Sequence, residues 1–258
     1  MRIATGTVGY LGYSDPSKNG MLLALYRRIL DRSSLYRVDL VCLPGGYLQV
    51  KDDTQKDELA AILVAEAKKR NIAVAVGIDL SAKRQPPWDH NYENILIRHY
   101  SLPLFAICWT PKQDNVSNCW RERSTRHDNA SLVPAHALSE ERRLPVQDGW
   151  VEILMCGEIF NQSIRSNIVR HKENLNAAIV LGHESRGFRV WNGMKILSKQ
   201  GLITLCSVHT ERKGGMKFRY DPGGVCRSTQ DADIVLNADL PAKLSRTEPR
   251  VELKIWDV

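Results

Sequence analysis

Short apolar runs alternate with amphipathic stretches at both ends of the chain, and such a pattern has to build β-sheet covered by helices. Residues 2–8 read as a strand. Asn19–Leu35 reads as a helix, with Leu22, Leu25, Tyr26, Ile29 and Leu30 on one face and Asn19 placed to cap it. Residues 38–43 read as a buried strand stopped by Pro44-Gly45-Gly46. A second helix follows over 54–70, with Leu59, Ile62, Leu63 and Ala67 on one side and a basic last turn. Residues 72–78 form a strand of small and β-branched residues. The middle differs: 94–98, 104–110 and 117–124 read as strands, with 111–115 as a hairpin connection and 125–148 as polar, irregular chain. Alternation then returns, with a strand over 150–155, a helix over 162–174, a strand over 177–181, a helix over 187–200 and a strand over 202–208. Short strands at 216–220, 234–236 and 251–255 close the chain. Helix–strand alternation flanking antiparallel strands predicts a mixed α/β layered fold, two packed sheets covered by helices. A single doubly wound sheet is the alternative.

Composition narrows what such a fold does. The chain has 258 residues, 43% of them hydrophobic, and fits one globular domain of this class over residues 1–258. No apolar stretch approaches the roughly 18 residues that span a bilayer. The N-terminus, MRIATGTVGYLGYSD, has no signal-peptide core or cleavage site, so a cytoplasmic location is expected. The net charge of +7 divides as +4 in residues 1–129 and +3 in residues 130–258. Nucleic-acid binding normally clusters its charge, so a nucleic-acid partner is not expected. Cys42, Cys108, Cys119, Cys156, Cys206 and Cys226 are too sparse for a disulfide framework, and no C-x-x-C pair points to zinc. No metal and no cofactor is expected, and five of the six cysteines read as packing residues.

Ligands of α/β sheets bind at the C-terminal ends of strands. Four predicted strand ends carry chemistry: Pro44-Gly45-Gly46-Tyr47, Cys156-Gly157-Glu158, Gly182-His183-Glu184-Ser185 and Ser207-Val208-His209-Thr210. Cys156 lies between a strand and a helix N-terminus, where free N–H groups and the helix dipole lower a thiol pKa and stabilise an oxyanion. Packing of Cys156 in the core, with Glu158 facing the dipole, is an equal reading. His183 and His209 are candidate acid–base or substrate-binding groups, or strand-end histidines satisfied by backbone. Gly45 admits a ligand close to the backbone, or makes a tight turn. Residues 6–12 have the spacing G-x-x-G-x-x-G and do not fit a dinucleotide loop. In Trp120-Arg121-Glu122-Arg123-Ser124, three charges in successive positions mark an exposed edge or the wall of a site.

The order of these pieces resembles the carbon–nitrogen hydrolase (nitrilase) superfamily. The segment Val151-Glu-Ile-Leu-Met-Cys156-Gly-Glu158 looks like the family's nucleophile strand. The strand ending at Gly182-His183, the helix over 189–199 and the strand over 202–208 look like the two units that follow it. Residues 2–8, the first helix and Asp39-Leu-Val-Cys-Leu-Pro44 look like its opening units, and Leu132-Val133-Pro134 like a loop before the cysteine. The resemblance implies a four-layer αββα sandwich, a dimer, and hydrolysis of amide-type C–N bonds of a small-molecule substrate through a Cys156 thioester. It also implies a Glu–Lys–Cys triad, which this chain departs from. The family's Pro-Glu step is Pro44-Gly45 here, and its lysine falls at Glu122 or, in another register, at Asn129. Two readings follow. In a rebuilt site, Glu122 or Glu158 serves as base, Arg121, Arg123, His183 or His209 supplies positive charge and binds substrate, and Cys156 attacks. In a degenerate one, the fold serves as a ligand-binding or protein-interaction module.

Overall fold

A computed structural model describes residues 1–9, 16–80, 104–113, 117–124, 141–184, 188–210 and 250–258. The expected strands at 94–98, 216–220 and 234–236, the segment 125–140, Asn129 and Cys226 lie outside the described residues.

The described strands are β1 (Arg2–Gly9), β2 (Leu40–Val50), β3 (Ala73–Leu80), β4 (Leu104–Trp109), β5 (Asn118–Arg121), β6 (Arg143–Val146), β7 (Gly149–Met155), β8 (Leu175–Glu184), β9 (Ile203–Thr210) and β10 (Arg250–Asp257). Among the described residues four helices accompany them: α1 (Asn19–Leu35), α2 (Asp53–Arg70), α3 (Gln162–Arg170) and α4 (Phe188–Lys199). Nine strands follow one hydrogen-bonded path, β5-β4-β3-β2-β1-β9-β8-β7-β6, and β10 pairs with β1. The path folds over on itself at β1. Ile3–Thr5 pair with Leu40–Cys42 of β2, and Thr7–Gly9 pair with Val208–Thr210 of β9. Strand β10 runs antiparallel along the whole of β1.

The two halves of this path pack face to face. Their shared core includes Leu40, Cys42, Ala73, Ala75, Leu104 and Ala106 from one half, and Val151, Ile153, Met155, Ala177, Ile179 and Leu181 from the other. Alternate residues of the same strands face outward, as a period of two requires. Val41, Leu43, Val74, Val76 and Ile78 meet Leu22, Tyr26, Ile29 and Leu63 of α1 and α2. Leu154, Ala178 and Val180 meet Ile164, Ile168, Met194 and Leu197 of α3 and α4. The molecule is therefore the αββα sandwich, and the single doubly wound sheet is set aside.

Local chemistry sets the helix ends. Asp52 caps α2 by accepting the Gln55 N–H at 2.8 Å. Asn71 ends α2 in the left-handed region, with φ of 55°. Asn161 caps α3 by accepting from Ser163 and Ile164.

Four expectations need correction. Asn19 does not cap α1; its side chain exchanges hydrogen bonds with the backbone of Gln49, where β2 needs a partner. Helix α3 ends at Arg170 rather than reaching Asn174, because β8 already begins at Leu175. Strand β6, expected to be irregular chain, forms a hairpin with β7 through the Gln147–Asp148 turn. Pro44-Gly45-Gly46 does not stop β2. The β2–β3 ladder pairs Leu40–Leu43 with Ala73–Val76, skips, and resumes at Leu48 opposite Ile78. Pro44–Tyr47 are a bulge, and bulges re-aim chains beside functional sites.

Candidate active site

Cys156 is the first residue of a 3-10 turn, Cys156–Phe160, between β7 and α3. Its sheet neighbour β8 runs parallel, with Met155 opposite Leu181, so His183 projects just beyond the same end. Asp79 is near the end of β3, in the facing half of the sandwich. Its carboxylate is fully buried, and His183 Nε2 donates to it, 2.9 Å from Oδ1 and 3.0 Å from Oδ2. The imidazole also lies near enough to the Cys156 thiol to lower its pKa. Thiol, imidazole and carboxylate thus stand in sequence, an arrangement of residue types that can serve as nucleophile, base and orienting acid. Burial pushes the thiol up, but the charge of His183 and hydrogen bonds from its ring and backbone amide outweigh this. The Cys156 thiol sits below its ordinary value, with Asp79 opposing weakly.

The β2 bulge shapes the Asp79 side of the site. Gly46 has φ of +67°, and a Cβ there would come 2.7 Å from Asp79 Oδ2. Gln49, after the bulge, donates from Nε2 to Asp79 Oδ2 at 3.3 Å and to the Gly46 carbonyl. A Cβ on Gly45 would meet the Leu181 carbonyl at 3.0 Å, so the bulge presses against the end of β8. Gly45 places backbone next to the strand that carries His183.

Glu122 follows the edge strand β5, and its N–H donates to the Leu104 carbonyl at 2.8 Å. Its side chain turns inward and accepts the Gly157 N–H at 2.8 Å, the amide next to Cys156. Burial pushes the Glu122 carboxyl well up, and the neighbouring Cys156 adds to this, against His183 and the Gly157 amide.

Glu158 is used differently. Its Oε1 accepts from the Arg123 amide at 2.7 Å, Arg123 Nε at 3.0 Å and Arg142 Nη1 at 3.1 Å. Its Oε2 accepts from the Met155 amide at 3.0 Å and Arg123 Nη2 at 3.3 Å. Burial works against the charge, but the two guanidiniums prevail and hold the carboxyl below its usual range. Ser124, beside Arg123, accepts from Asn161 Nδ2 at 3.1 Å.

Cys156, His183 and Glu122 are thus brought together. Glu158 and Arg123 lie directly behind them as an ion pair. Arg121 stacks over Phe105, 4.7 Å from the ring centroid. His209 is buried on β9, opposite Val8 of β1 and Glu184 of β8. Among the described strands β5 ends the sheet path, and the residues after it, Arg123 and Ser124, are buried. Asp79, Arg142 and Gln49 are not among the residues expected from the sequence to form the site. The signal for Asp79 was present, a carboxylate directly after the apolar run 72–78. Cys42 and Cys108 pack in the inter-sheet core, whereas Cys119 is exposed. Among the described residues, no helix is long and apolar enough to cross a membrane.

No family model and no curated protein matches the chain. Solved structures do. An amidase named NitN from the bacterium Nesterenkonia sp. AN1 matches with a TM-score of 0.54 at 17% identity, covering 83% of this chain and 80% of that one. A glutamate-to-glutamine variant of the Nesterenkonia amidase, carrying acrylamide added at its active-site cysteine, gives a TM-score of 0.57 at 17% identity over 100% and 93%. An alanine variant, described as belonging to the nitrilase superfamily, gives 0.53 at 16% over 83% and 78%. The likeness is one of architecture: this chain has the fold of nitrilase-superfamily amidases.

Proposed function

We propose that the protein is a nitrilase-like cysteine hydrolase that cleaves an amide-type C–N bond of a small molecule through a Cys156 thioester, with a Cys156–His183–Asp79 constellation in place of the family's own triad. The observation that carries this is His183, bonded to the buried Asp79 carboxylate at 2.9 Å and lowering the pKa of the Cys156 thiol. His183 draws the thiol toward thiolate, and the thiolate, not the thiol, is the nucleophile. Asp79 holds the ring in one orientation and stabilises its charged form, as an orienting carboxylate does in other triads. The thiolate adds to the amide carbonyl, the His183 imidazolium gives its proton to the leaving nitrogen as the C–N bond breaks, and the thioester forms. Neutral His183 then takes a proton from water, hydroxide adds to the thioester, and the C–S bond breaks to return thiolate and imidazolium.

Glu158 is a positioning residue in this scheme. Its acceptor sites are taken by Arg123, Arg142 and Met155, and its lowered pKa makes it a poor proton acceptor. Arg123 and Arg142 are correspondingly spent on Glu158. The presence of a lowered thiol beside a base supports the catalytic reading over the binding module, because packing alone has no use for a thiolate.

Two measurements test this. Iodoacetamide should label Cys156 ahead of Cys42 and Cys108, whose thiols burial pushes well up. p-Nitrophenyl acetate should leave an acetyl group on Cys156, seen by mass spectrometry and slowed about 10²-fold or more in His183→Ala and Asp79→Asn. Labelling of Cys156 no faster than the other thiols, with no acetyl adduct, overturns the proposal.

A further inference from the structure

Resting on that reading, we infer that Glu122 works as a neutral carboxylic acid and donates the second hydrogen bond of the oxyanion hole, where relatives of this fold are expected to use a lysine ammonium.

The geometry comes first. In acyl transfer the oxyanion is bound by the N–H that follows the nucleophile together with one further donor. Here that N–H belongs to Gly157, and Glu122 Oε1 lies 2.8 Å from its nitrogen. In the resting structure the carboxyl oxygen fills the acceptor place of that N–H; a substrate oxygen that binds there displaces it and leaves the carboxyl at the edge of the hole. Its backbone is pinned to Leu104 at the end of β4, so the side chain is held there by the sheet rather than by a loose loop.

Charge decides which form of the carboxyl occupies the place. From the turn after β7 come Cys156, which becomes a thiolate, and Glu158; from β8 comes His183; from β3 comes Asp79 behind His183. The two nearby guanidiniums, Arg123 and Arg142, are directed to Glu158. His183 is directed to Asp79 and to the thiol. An ionised Glu122 would sit in a half-buried place beside a thiolate, where burial outweighs the pull of His183 and the Gly157 amide, and a carboxyl so placed keeps its proton. A neutral carboxyl has one O–H donor, which an ionised one lacks. Attack of the thiolate puts negative charge on the substrate oxygen at this position. The Glu122 O–H then donates to that oxygen, the proton stays on Glu122, and the bond is released when the oxyanion collapses.

The test compares Glu122→Gln and Glu122→Ala in two reactions at Cys156. Acetylation by p-nitrophenyl acetate passes through an oxyanion; alkylation by iodoacetamide does not. Glu122→Ala should slow acetylation by about 10²-fold while alkylation stays within about threefold, and Glu122→Gln, whose amide N–H₂ can donate, should keep acetylation within about tenfold of wild type. Wild-type acetylation should fall at alkaline pH as Glu122 ionises, and Glu122→Gln should lack that limb. Equal slowing of both reactions in Glu122→Ala overturns the assignment, as does unchanged acetylation. A Glu122→Gln variant as slow as Glu122→Ala, or one that keeps the alkaline limb, overturns it too. Wild-type protein that alkylates but never acetylates at Cys156 overturns the parent hydrolase reading instead.

Discussion

At the scale of single residues, this protein places carboxyl groups in three different electrostatic states within one small region. Glu158 faces two guanidiniums and stays ionised. Glu122 faces a thiol, and burial holds it toward the neutral form. Glu152 on β7 is 3% exposed, and burial raises it from 4.5 to about 7, with Arg123, the Arg142 amide and Arg143 only partly offsetting the cost. Below about 4.5 Glu152 carries its proton in both folded and unfolded chains. Between about 4.5 and about 7 only the folded chain holds it, so its contribution to stability is lost as pH rises through that window. Urea unfolding should show Glu152→Gln gaining on the wild type from about pH 4 to about pH 8, by on the order of 3 kcal/mol. A gap that does not change with pH would contradict a raised Glu152.

At the scale of elements, the β2 bulge is the feature that matters most. A Cβ on Gly77 would lie 2.3 Å from the Pro44 carbonyl oxygen and 2.5 Å from Gly45 Cα. Both neighbours are backbone, so neither can rotate away. Gly77→Ala should therefore cost at least about 2 kcal/mol, measured by chemical denaturation. It should also slow alkylation of Cys156, because the displaced bulge carries Gly46 against Asp79. Wild-type stability in this variant would show that the bulge tolerates movement. The sequence showed Pro44-Gly45-Gly46 as an interruption but not its kind. A turn and a bulge use the same residues, and only pairing with β3 tells them apart.

At the scale of the whole molecule, the Glu158 cluster ties the two sheets together behind the site. Arg123 comes from the segment after β5, at one end of the strand path. Glu158 and Arg142 come from beside β7 and β6, at the other. Thr110 Oγ1 also donates to the Pro145 carbonyl at 2.7 Å across the same gap. Glu158→Ala would leave two buried guanidiniums without their carboxylate, and should cost about 3–5 kcal/mol of unfolding free energy. A loss under about 1 kcal/mol would mean that water already reaches the cluster.

Most of the elements were legible in the residues, α1 to its end points and β1, β4 and β9 to within a residue or two, because local periodicity reports which face of each segment is apolar. Cys156 and His183 were legible as candidates for a similar reason: polar groups that end apolar strands stand out along the chain, whereas Glu122 became a candidate through the family resemblance. Their partnership was not. Asp79 and His183 are 104 positions apart, and Arg123 and Glu158 are 35. Strand periodicity says how each segment meets a core, but not which strand ends face one another across it. That was decided when β1 carried the chain from one sheet into the other. The fold then closed the end of β3 and the segment after β5 over the ends of β7 and β8, and so joined a carboxylate from one sheet to a thiol and an imidazole from the other.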